Sequence, residues 1–249
     1  MIDIHTHIIP GLDDGSQDIE TSIIMAEMAV DSGVDTIIAT PHCNQSGMYE
    51  NYVSDDLLRW MDRFREEVER EEIDLDVKFG MEIFCTREVP KLLREKKLLT
   101  LNDSRYALVE FPFGIDIPRM ERMLFSVLDS GYIPVIAHPE RYFAVQAQPE
   151  ITYDWLQEGM GIQINKGSLF GRFGRDEYRC ANNLLRNGLV SCIASDAHGI
   201  DSRTTDMSDA FEFVSMEYSE ELADLLLEEN PRRILDDKPL LGGADIEVY

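Results

Sequence analysis

The chain has 249 residues, 44% of them hydrophobic, which is enough for one large α/β domain or two small ones. Acidic residues outnumber basic residues by 48 to 23, and the formal net charge at pH 7 is −25. A surface this negative repels nucleic acid and anionic membranes, so we expect neither as a general partner.

Short apolar runs alternate with helical stretches along the whole chain. The runs are mostly continuous, as in parallel strands that are covered on both faces. The pattern predicts seven strands, at Ile2–His5, Thr36–Thr40, Val77–Phe84, Tyr106–Phe111, Ile133–Ala137, Gly161–Asn165 and Val190–Ser195. Helices are predicted in the remaining segments, at about 18–32, 54–71, 87–96, 118–130, 150–158, 175–187 and 208–228. Ser54 and Ser208 are the expected N-caps of two of these helices.

Seven strand–helix units without a low-complexity linker predict a single domain over residues 1–249. Such a domain is either a barrel or an open doubly wound sheet. The open sheet usually carries a glycine-rich phosphate-binding loop after its first strand. Here the first strand runs into His5-Thr6-His7 instead. We therefore expect an α/β fold in the form of a (β/α) barrel.

The first residues contain neither the basic region nor the apolar region of a secretory signal, so we expect none. No apolar run approaches the roughly 20 residues that a membrane-spanning helix needs, so membrane insertion is not expected. The four cysteines, Cys43, Cys85, Cys180 and Cys192, are widely spaced and form no CxxC pair. They are predicted to be free thiols, which favours a cytoplasmic protein.

Histidines and carboxylates lie where the predicted strands end. All five histidines, and four of the acidic residues, fall at or just beyond a strand's C-terminal end, where the loops of a βα barrel assemble active sites. Imidazole nitrogen and carboxylate oxygen together suit Zn²⁺, Mn²⁺ or Fe²⁺. Nine ligands are too many for one ion, so two or three ions with bridging carboxylates are expected. The nine are His5, His7, Asp14, His42, Glu82, Glu110, His138, Asp196 and His198.

Two of these ligand pairs share one spacing at opposite ends of the chain. His5 and His7 flank one residue, and so do Asp196 and His198. Because the first and last strands of a closed barrel are neighbours, we expect the two pairs to meet. The arrangement predicts a shared metal site.

Two arginines indicate the substrate. Arg141 follows His138 after the fifth strand, and Arg203 follows His198 by a short loop. A guanidinium beside a metal cluster suits the free oxygens of a bound phosphate. Cys180 and Arg186 match the C-x5-R spacing of cysteine-dependent phosphatases, but that chemistry needs a glycine-rich phosphate loop, whereas this segment has helical periodicity. A metal-dependent phosphoester hydrolase is therefore the favoured function.

With these residues in view, the sequence resembles the polymerase and histidinol phosphatase (PHP) superfamily. Within it, the chain is most similar to the bacterial manganese-dependent tyrosine phosphatases of capsular and exopolysaccharide synthesis. The superfamily signals are the His5-x-His7 and Asp196-x-His198 pairs. The more specific matches are Asp13-Asp14-Gly15, Asn102-Asp-Ser-Arg-Tyr106 and His138-Pro-Glu-Arg-Tyr142.

The resemblance implies an irregular seven-stranded (β/α) barrel with three divalent metal ions, manganese being expected and iron or zinc the alternatives. One ion would be held by His5, His7, Glu82 and Asp196. A second would share Glu82 and add Glu110 and His138, and the third would take Asp14, His42 and His198. Arg141 and Arg203 fall where the family binds phosphate. Lys166 departs from the family pattern, since relatives often have a small polar residue there.

The resemblance also implies the reaction and the partner. A metal-bridged hydroxide would hydrolyse phosphotyrosine on a protein, and the expected substrate is the tail of a bacterial tyrosine kinase. Phe113, Tyr142 and Phe143 are candidates to hold the tyrosine ring. Two alternatives stay open at this point: a phosphatase for small molecules, such as histidinol phosphate, and a metal-binding regulatory protein without catalysis.

Overall fold

The structure is a computed structural model that describes residues 1–242. The predicted single domain extends to residue 249, and its residues 243–249 lie outside the described part. Nine strands are described: β1 (Ile2–Thr6), β2 (Thr36–Ala39), β3 (His42–Cys43), β4 (Asp76–Phe79), β5 (Glu82–Phe84), β6 (Tyr106–Glu110), β7 (Ile133–Ala137), β8 (Gly161–Asn165) and β9 (Cys192–Ala194).

Helices follow or separate the strands, as predicted for a βα repeat. The α-helices in the described residues are α1 (Ile19–Asp31), α2 (Asp55–Arg70), α3 (Val89–Arg94), α4 (Ile117–Leu128), α5 (Phe143–Ala147), α6 (Ile151–Gln157), α7 (Lys166–Leu169), α8 (Arg175–Arg186), α9 (Ser208–Glu217), α10 (Glu220–Asp224) and α11 (Asn230–Leu235). Short 3₁₀ turns lie at Leu101–Asp103 and Pro139–Arg141, and a π turn lies at Leu225–Glu229. None of the helices over residues 1–242 is both long enough and apolar enough to cross a membrane.

All described strand pairs are parallel, which confirms the predicted α/β class. The strands form a three-stranded sheet in the order β1-β2-β4 and a six-stranded sheet in the order β3-β5-β6-β7-β8-β9. Backbone hydrogen bonds also join the first strand to the segment after the last one. The Asp196 N–H donates to the His5 carbonyl, and the His7 N–H donates to the Ala197 carbonyl, both at 2.9 Å. The expectation that the His5/His7 and Asp196/His198 pairs meet is confirmed.

One predicted strand is interrupted and one additional short strand is present, which explains why nine strands are described instead of seven. The prediction of one continuous strand over Val77–Phe84 is wrong, because Gly80 and Met81 separate β4 from β5. The second strand ends at Ala39, and β3 begins beyond Pro41, which has no N–H for a sheet hydrogen bond. Strands β2 and β4 belong to the three-stranded sheet, whereas β3 and β5 belong to the six-stranded sheet. The chain therefore moves from one sheet to the other at these two points.

The predicted helix over 208–228 is also wrong. It divides at Tyr218 into α9, α10 and the π turn, and the Ser219 hydroxyl accepts a hydrogen bond from the Leu222 N–H at 3.1 Å to begin α10. Ser208 is the first residue of α9 rather than its cap, and its hydroxyl donates to Asp206. Ser54 caps α2 as predicted, accepting from the Leu57 N–H at 3.1 Å.

Two buried hydrophobic clusters hold these elements together. The larger one packs strands against the surrounding helices. The smaller one contains side chains from both sheets: Ile2 and Ile4 of β1 lie together with Leu108 of β6, Val135 of β7 and Ala194 of β9. Burial of apolar surface thus joins the two sheets, and it fixes the relative positions of the strand ends that carry the site.

Candidate metal centre

The strand ends bring the nine predicted ligands together. His5 lies in β1, Glu110 ends β6, and His138 directly follows β7. His42 and Glu82 begin β3 and β5 and are opposite each other in the register of that pair. Three groups each place their ligand atoms within 4.8 Å of one another: His5, His7 and Asp196; His42, Glu82 and Glu110; and His7, Asp14, His42 and His198.

Glu82 lies at the centre of the cluster and is completely buried. Its Oε2 atom is 2.9 Å from Nδ1 of His42, 3.2 Å from Nε2 of His7 and 3.3 Å from Nε2 of His5. Its Oε1 atom is 2.8 Å from Nε2 of His138. A carboxylate with imidazoles on both oxygens has the geometry of a ligand that bridges ions.

His42 lies between two of the ligand groups. Its Nδ1 is 2.9 Å from Oε1 of Glu110 as well as from Glu82, whereas its Nε2 is 3.5 Å from Oδ1 of Asp14. The same Asp14 oxygen is 3.5 Å from Nε2 of His198. The structure therefore places His42 next to Asp14 and His198, the neighbours that the resemblance implied, and also against the two glutamates.

Several buried ligand atoms in this cluster lie close to one another but make no hydrogen bond of acceptable geometry within the described residues. They include Nδ1 of His42, Oε2 of Glu82 and Oε1 of Glu110. Buried polar atoms without partners are costly, unless an ion or water satisfies them. Their imidazole and carboxylate chemistry suits divalent transition-metal ions. The residues present therefore fit a metal centre.

Charge within the cluster shifts the pKa values of its members strongly. Burial alone would lower the pKa of His42, but Glu82 and Glu110 raise it to about 12. Burial would raise the pKa of Glu82, but His5 and His42 hold it well below its usual range. The pKa of Glu110 is raised, by burial and by the charge of Glu82. The site thus holds closely spaced negative charges that need nearby positive charge.

Three site residues have backbone angles in the left-handed region. The φ angles of His138, Asp196 and Arg203 are 36°, 49° and 50°. Such angles cost a non-glycine residue about 1–3 kcal/mol and persist where the surroundings fix them. Here, the Asp196 N–H is bonded to His5, and the Arg203 carbonyl accepts from the His198 N–H at 2.8 Å. This backbone geometry aims the side chains at the cluster.

Asp13 orients the first ligand loop, a role that the sequence analysis did not assign. Its Oδ2 accepts from Nδ1 of His7 at 2.7 Å and from the His42 N–H at 2.9 Å. Its Oδ1 accepts from the Gly15 N–H at 3.0 Å. The loop turns so tightly that a Cβ on Gly15 would lie 2.1 Å from the His7 carbonyl oxygen. Only glycine fits there.

Arg141 and Arg203 reach the same edge of the cluster, as the sequence predicted. A terminal nitrogen of Arg203 is 2.6 Å from Oδ2 of Asp196, and one of Arg141 is 3.6 Å from that oxygen. The Arg141 guanidinium lies between the rings of Phe113 and Phe173, at 4.6 and 4.7 Å from their centres. Arg203 lies 5.6 Å from the Phe173 ring centre. Both arginines line a cleft of about 190 Å³ that seven of the nine predicted ligands also line.

The aromatic residues proposed for ring binding differ in position. Phe113 lines the cleft and is 41% exposed. Tyr142 is buried, and its hydroxyl donates to the Ala137 carbonyl, so its role is structural. Phe143 is 63% exposed and lies outside the cleft lining. Tyr49, which the sequence analysis did not single out, lines the cleft and stacks on His42 at 5.3 Å between ring centres.

Other candidate features lie away from the chemistry. Lys166 is buried against Asp209, its Nζ 3.6 Å from a carboxylate oxygen, and does not line the cleft. Cys180 lies on helix α8, and burial raises the pKa of its thiol to about 12, the opposite of an activated nucleophile. Four larger clefts, of about 380 to 540 Å³, are lined by none of the nine predicted ligands.

The fold and the site together define a parallel-stranded α/β protein with a cluster of histidines and carboxylates that could hold divalent metal ions. A family model described as capsular polysaccharide synthesis, CpsB/CapC, matches residues 1–236. The chain belongs to the CpsB/CapC family.

Named relatives support the same grouping. The chain is 41% identical over 229 residues to the tyrosine-protein phosphatase YwqE of Bacillus subtilis (strain 168), covering 92% of this chain and 89% of the relative. It is 34% identical over 246 residues to the tyrosine-protein phosphatase CpsB of Streptococcus pneumoniae, covering 96% and 99%.

Solved structures agree. One from a study of YwqE and CpsB, described as unique metal-dependent tyrosine phosphatases, superimposes with a TM-score of 0.89 at 37% identity and 97% coverage of both chains. A dihydropyrimidinase from Brevibacillus agri matches with a TM-score of 0.61 at 10% identity, covering 95% of this chain and 70% of that one, a likeness of fold alone.

Proposed function

We propose that this chain hydrolyses phosphotyrosine on a protein at a centre of three divalent metal ions. It is an enzyme of the metal-dependent tyrosine-phosphatase type, as its family relatives are named. The observation that carries the proposal is that three adjoining ligand groups and two arginines meet at one cleft, which each group lines with at least one residue. Anionic phosphate and divalent ions need this combination of charges.

We assign the ligands as the resemblance implied. His5, His7, Glu82 and Asp196 would hold one ion, and Glu82 would be shared with a second ion on Glu110 and His138. Asp14, His42 and His198 would hold the third. The position of Glu82, with histidines on both oxygens, supports its bridging role. Manganese is the proposed metal, with iron or zinc as alternatives that the same ligands accept.

We further propose that the two sheets form one closed, irregular seven-stranded barrel and that residues 1–249 are one domain. The hydrogen bonds from Asp196 to His5 and from His7 to Ala197 support closure between the first and last strands. The hydrophobic cluster shared by both sheets supports it as well. Closure places all strand ends around one rim, which is where the ligands lie.

Substrate binding follows from the cleft. When bound, the ions lower the pKa of a water to supply the nucleophile and neutralise the phosphoryl oxygens. Arg141 and Arg203 donate hydrogen bonds to the phosphoryl oxygens that face them. Phe113 and Tyr49 offer apolar surface at the mouth for the tyrosine ring. The leaving phenolate has a pKa near 10, so it departs with little help from an acid.

The proposed partner is the phosphorylated tail of a bacterial tyrosine kinase in the cytoplasm. A mobile tail can present phosphotyrosine to an open cleft without unfolding. Free cysteines at all four positions suit a reducing compartment. The net charge of −25 disfavours nucleic acid as substrate.

Turnover by the manganese-loaded protein tests this function. We expect a higher kcat/KM on a phosphotyrosine peptide than on histidinol phosphate or a short DNA, because the cleft offers aromatic surface beside the phosphate site. A preference for histidinol phosphate would favour the small-molecule alternative. Tight manganese binding without turnover of any phosphoester would favour a regulatory protein.

Replacing Arg141 by methionine tests the phosphate site. We expect kcat/KM on the peptide to fall by about tenfold to a hundredfold, equal to the ~1.5–3 kcal/mol of a hydrogen bond to a charged group. Arg119→Met is the matched control, since Arg119 is an exposed residue of α4 paired with Asp116. A loss below about twofold in Arg141→Met would contradict the role.

A further inference from the structure

Strand β8 ends in two amide side chains that connect two metal ligands. Oε1 of Gln163 lies 2.9 Å from Nδ1 of His5, and Nε2 of Gln163 donates to Oδ1 of Asn165 at 2.9 Å. Nδ2 of Asn165 then donates to Oδ2 of Asp196 at 2.6 Å. Gln163, Asn165 and His5 are fully buried, and Asp196 is almost so. Water therefore does not replace these contacts.

Asp196 determines which atom donates and which accepts in each of these hydrogen bonds. An ionised carboxylate only accepts hydrogen bonds, so Asn165 must face it with the amide nitrogen. The Asn165 oxygen then accepts from Gln163, and the oxygen of Gln163 is left to face His5. That oxygen can only accept, so Nδ1 of His5 must carry the hydrogen. If both amides were turned round, the Asn165 oxygen would lie 2.6 Å from the carboxylate of Asp196, and two acceptors would face each other without a hydrogen.

We propose that Gln163 and Asn165 are positioning residues. Their hydrogen bonds form an amide relay from Asp196 to His5, which holds the ring hydrogen of His5 on Nδ1 and leaves Nε2 free to bind a divalent ion. This inference rests on the proposed metal centre and deepens it. Nε2 of His5 lies 3.5 Å from Oδ1 of Asp196, so the two ends of the relay point to one ion. An ionised Asp196, which is ready to bind an ion, therefore also favours the tautomer of His5 that can bind the same ion.

The neighbouring predicted ligand, His7, also needs its ring hydrogen on Nδ1, and a single hydrogen bond holds it there. Nδ1 of His7 is held directly by a carboxylate, Asp13, at 2.7 Å. Nδ1 of His5 is instead held by the amide of Gln163, with no carboxylate of residues 1–242 bonded to it, so His5 depends on the amide relay. The relay is itself anchored, because Oε1 of Glu140 accepts from the Asn165 N–H at 3.0 Å and from the Ser168 hydroxyl at 2.6 Å.

Manganese binding by Gln163→Leu, Asn165→Leu and the double variant tests the proposal. Leucine keeps the approximate volume but makes no hydrogen bond. We expect each single variant to bind Mn²⁺ about tenfold to a hundredfold more weakly, the usual effect of losing a partner of a metal ligand. Because the relay works only when complete, the double variant should lose little more than either single variant.

Asn230→Leu is the matched control. Asn230 is also fully buried, and its side chain hydrogen-bonds the Ser191 carbonyl and the backbone N–H and carbonyl of Leu241; within residues 1–242 it hydrogen-bonds none of the nine predicted ligands. We expect it to lower the melting temperature of the metal-free protein while leaving manganese affinity within about twofold of the natural chain. It separates the general cost of a lost buried hydrogen bond from an effect on the metal.

A second measurement does not depend on the variants' folding. In the natural chain loaded with diamagnetic Zn²⁺, nitrogen NMR should detect a slowly exchanging N–H at Nδ1 of His5. Affinities of the single variants within twofold of the natural chain, losses that add in the double variant, or a hydrogen on Nε2 of His5 would each overturn the relay. Failure of the natural chain to bind any divalent ion would instead refute the proposed metal centre.

Discussion

Glu82→Gln is expected to reduce kcat by about a thousandfold or more, equal to roughly 4 kcal/mol of transition-state stabilisation. Oε2 of Glu82 contacts His42, His7 and His5 within 3.3 Å, and Oε1 contacts His138 at 2.8 Å. Glutamine has nearly the same shape, but it is neutral and replaces one oxygen by an NH₂ group that cannot bind a cation. The substitution would thereby remove the proposed bridging ligand while keeping the packing.

The same substitution should change the electrostatics of the metal-free protein in a measurable way. Glu82 and Glu110 together raise the pKa of His42 to about 12 against the effect of burial. Removing one of the two charges must lower the pKa of His42, which an NMR titration of the chelated protein would detect. An unchanged pKa would contradict the close contact between the two side chains.

Glu69→Gln is a suitable control for Glu82→Gln, since Glu69 is an exposed residue of α2. The control should keep full activity and manganese content. Circular dichroism of both variants would verify that the fold is retained. Activity of Glu82→Gln within tenfold of the natural chain would rule out Glu82 as a bridging ligand.

Strand ends account for most of what the sequence predicts about the site. Parallel strands place their C-terminal ends at one edge, so ligands such as His5, His138 and Asp196 are brought together by topology alone. Only five histidines occur in the chain, which makes their common position informative. The meeting of His5 with Asp196 followed from the neighbouring positions of the first and last strands.

Breaks within elements were not predictable from the same patterns. Residues 77–84 read as one continuous strand, yet the chain changes sheets at Gly80, where a Cβ would lie 3.0 Å from the Leu101 side chain. Such crowding is a tertiary effect that local propensity does not record. The helical pattern over 208–228 likewise continues through Tyr218, although the backbone breaks there.

Residues that act through others were also missed. Gln163 and Asn165 are amides and carry no metal-ligand signature, although their alternate positions in an apolar strand were a usable signal. Phe173 contacts the guanidinium of Arg141 only because a loop after β8 folds back over Gly167, where a Cβ would lie 2.9 Å from the Phe173 ring. No spacing in the sequence specifies that contact.

Removing divalent ions with a chelator is expected to abolish phosphatase activity, and returning Mn²⁺ should restore it. The physical reason is the crowded, buried set of ligand atoms that make no hydrogen bond of acceptable geometry, among them Oε2 of Glu82 and Oε1 of Glu110. Ions that bind only the folded chain also stabilise it, by about 2.7 kcal/mol for one site at a hundredfold excess over Kd. For a chain of this length, the melting temperature should rise by roughly 5–10 °C on loading.

Cys180→Ser separates this chemistry from that of a cysteine phosphatase. The Cys180 thiol is buried on α8 with a pKa raised to about 12, so it cannot serve as a thiolate nucleophile near neutral pH. The variant should therefore keep full manganese-dependent activity and lose it on chelation, as the natural chain does. Full activity in the metal-stripped protein, or loss of activity in Cys180→Ser with its fold and manganese content intact, would contradict metal-dependent hydrolysis. Because chelation removes the ions and the serine variant removes only the thiol, the two experiments identify which group supplies the nucleophile.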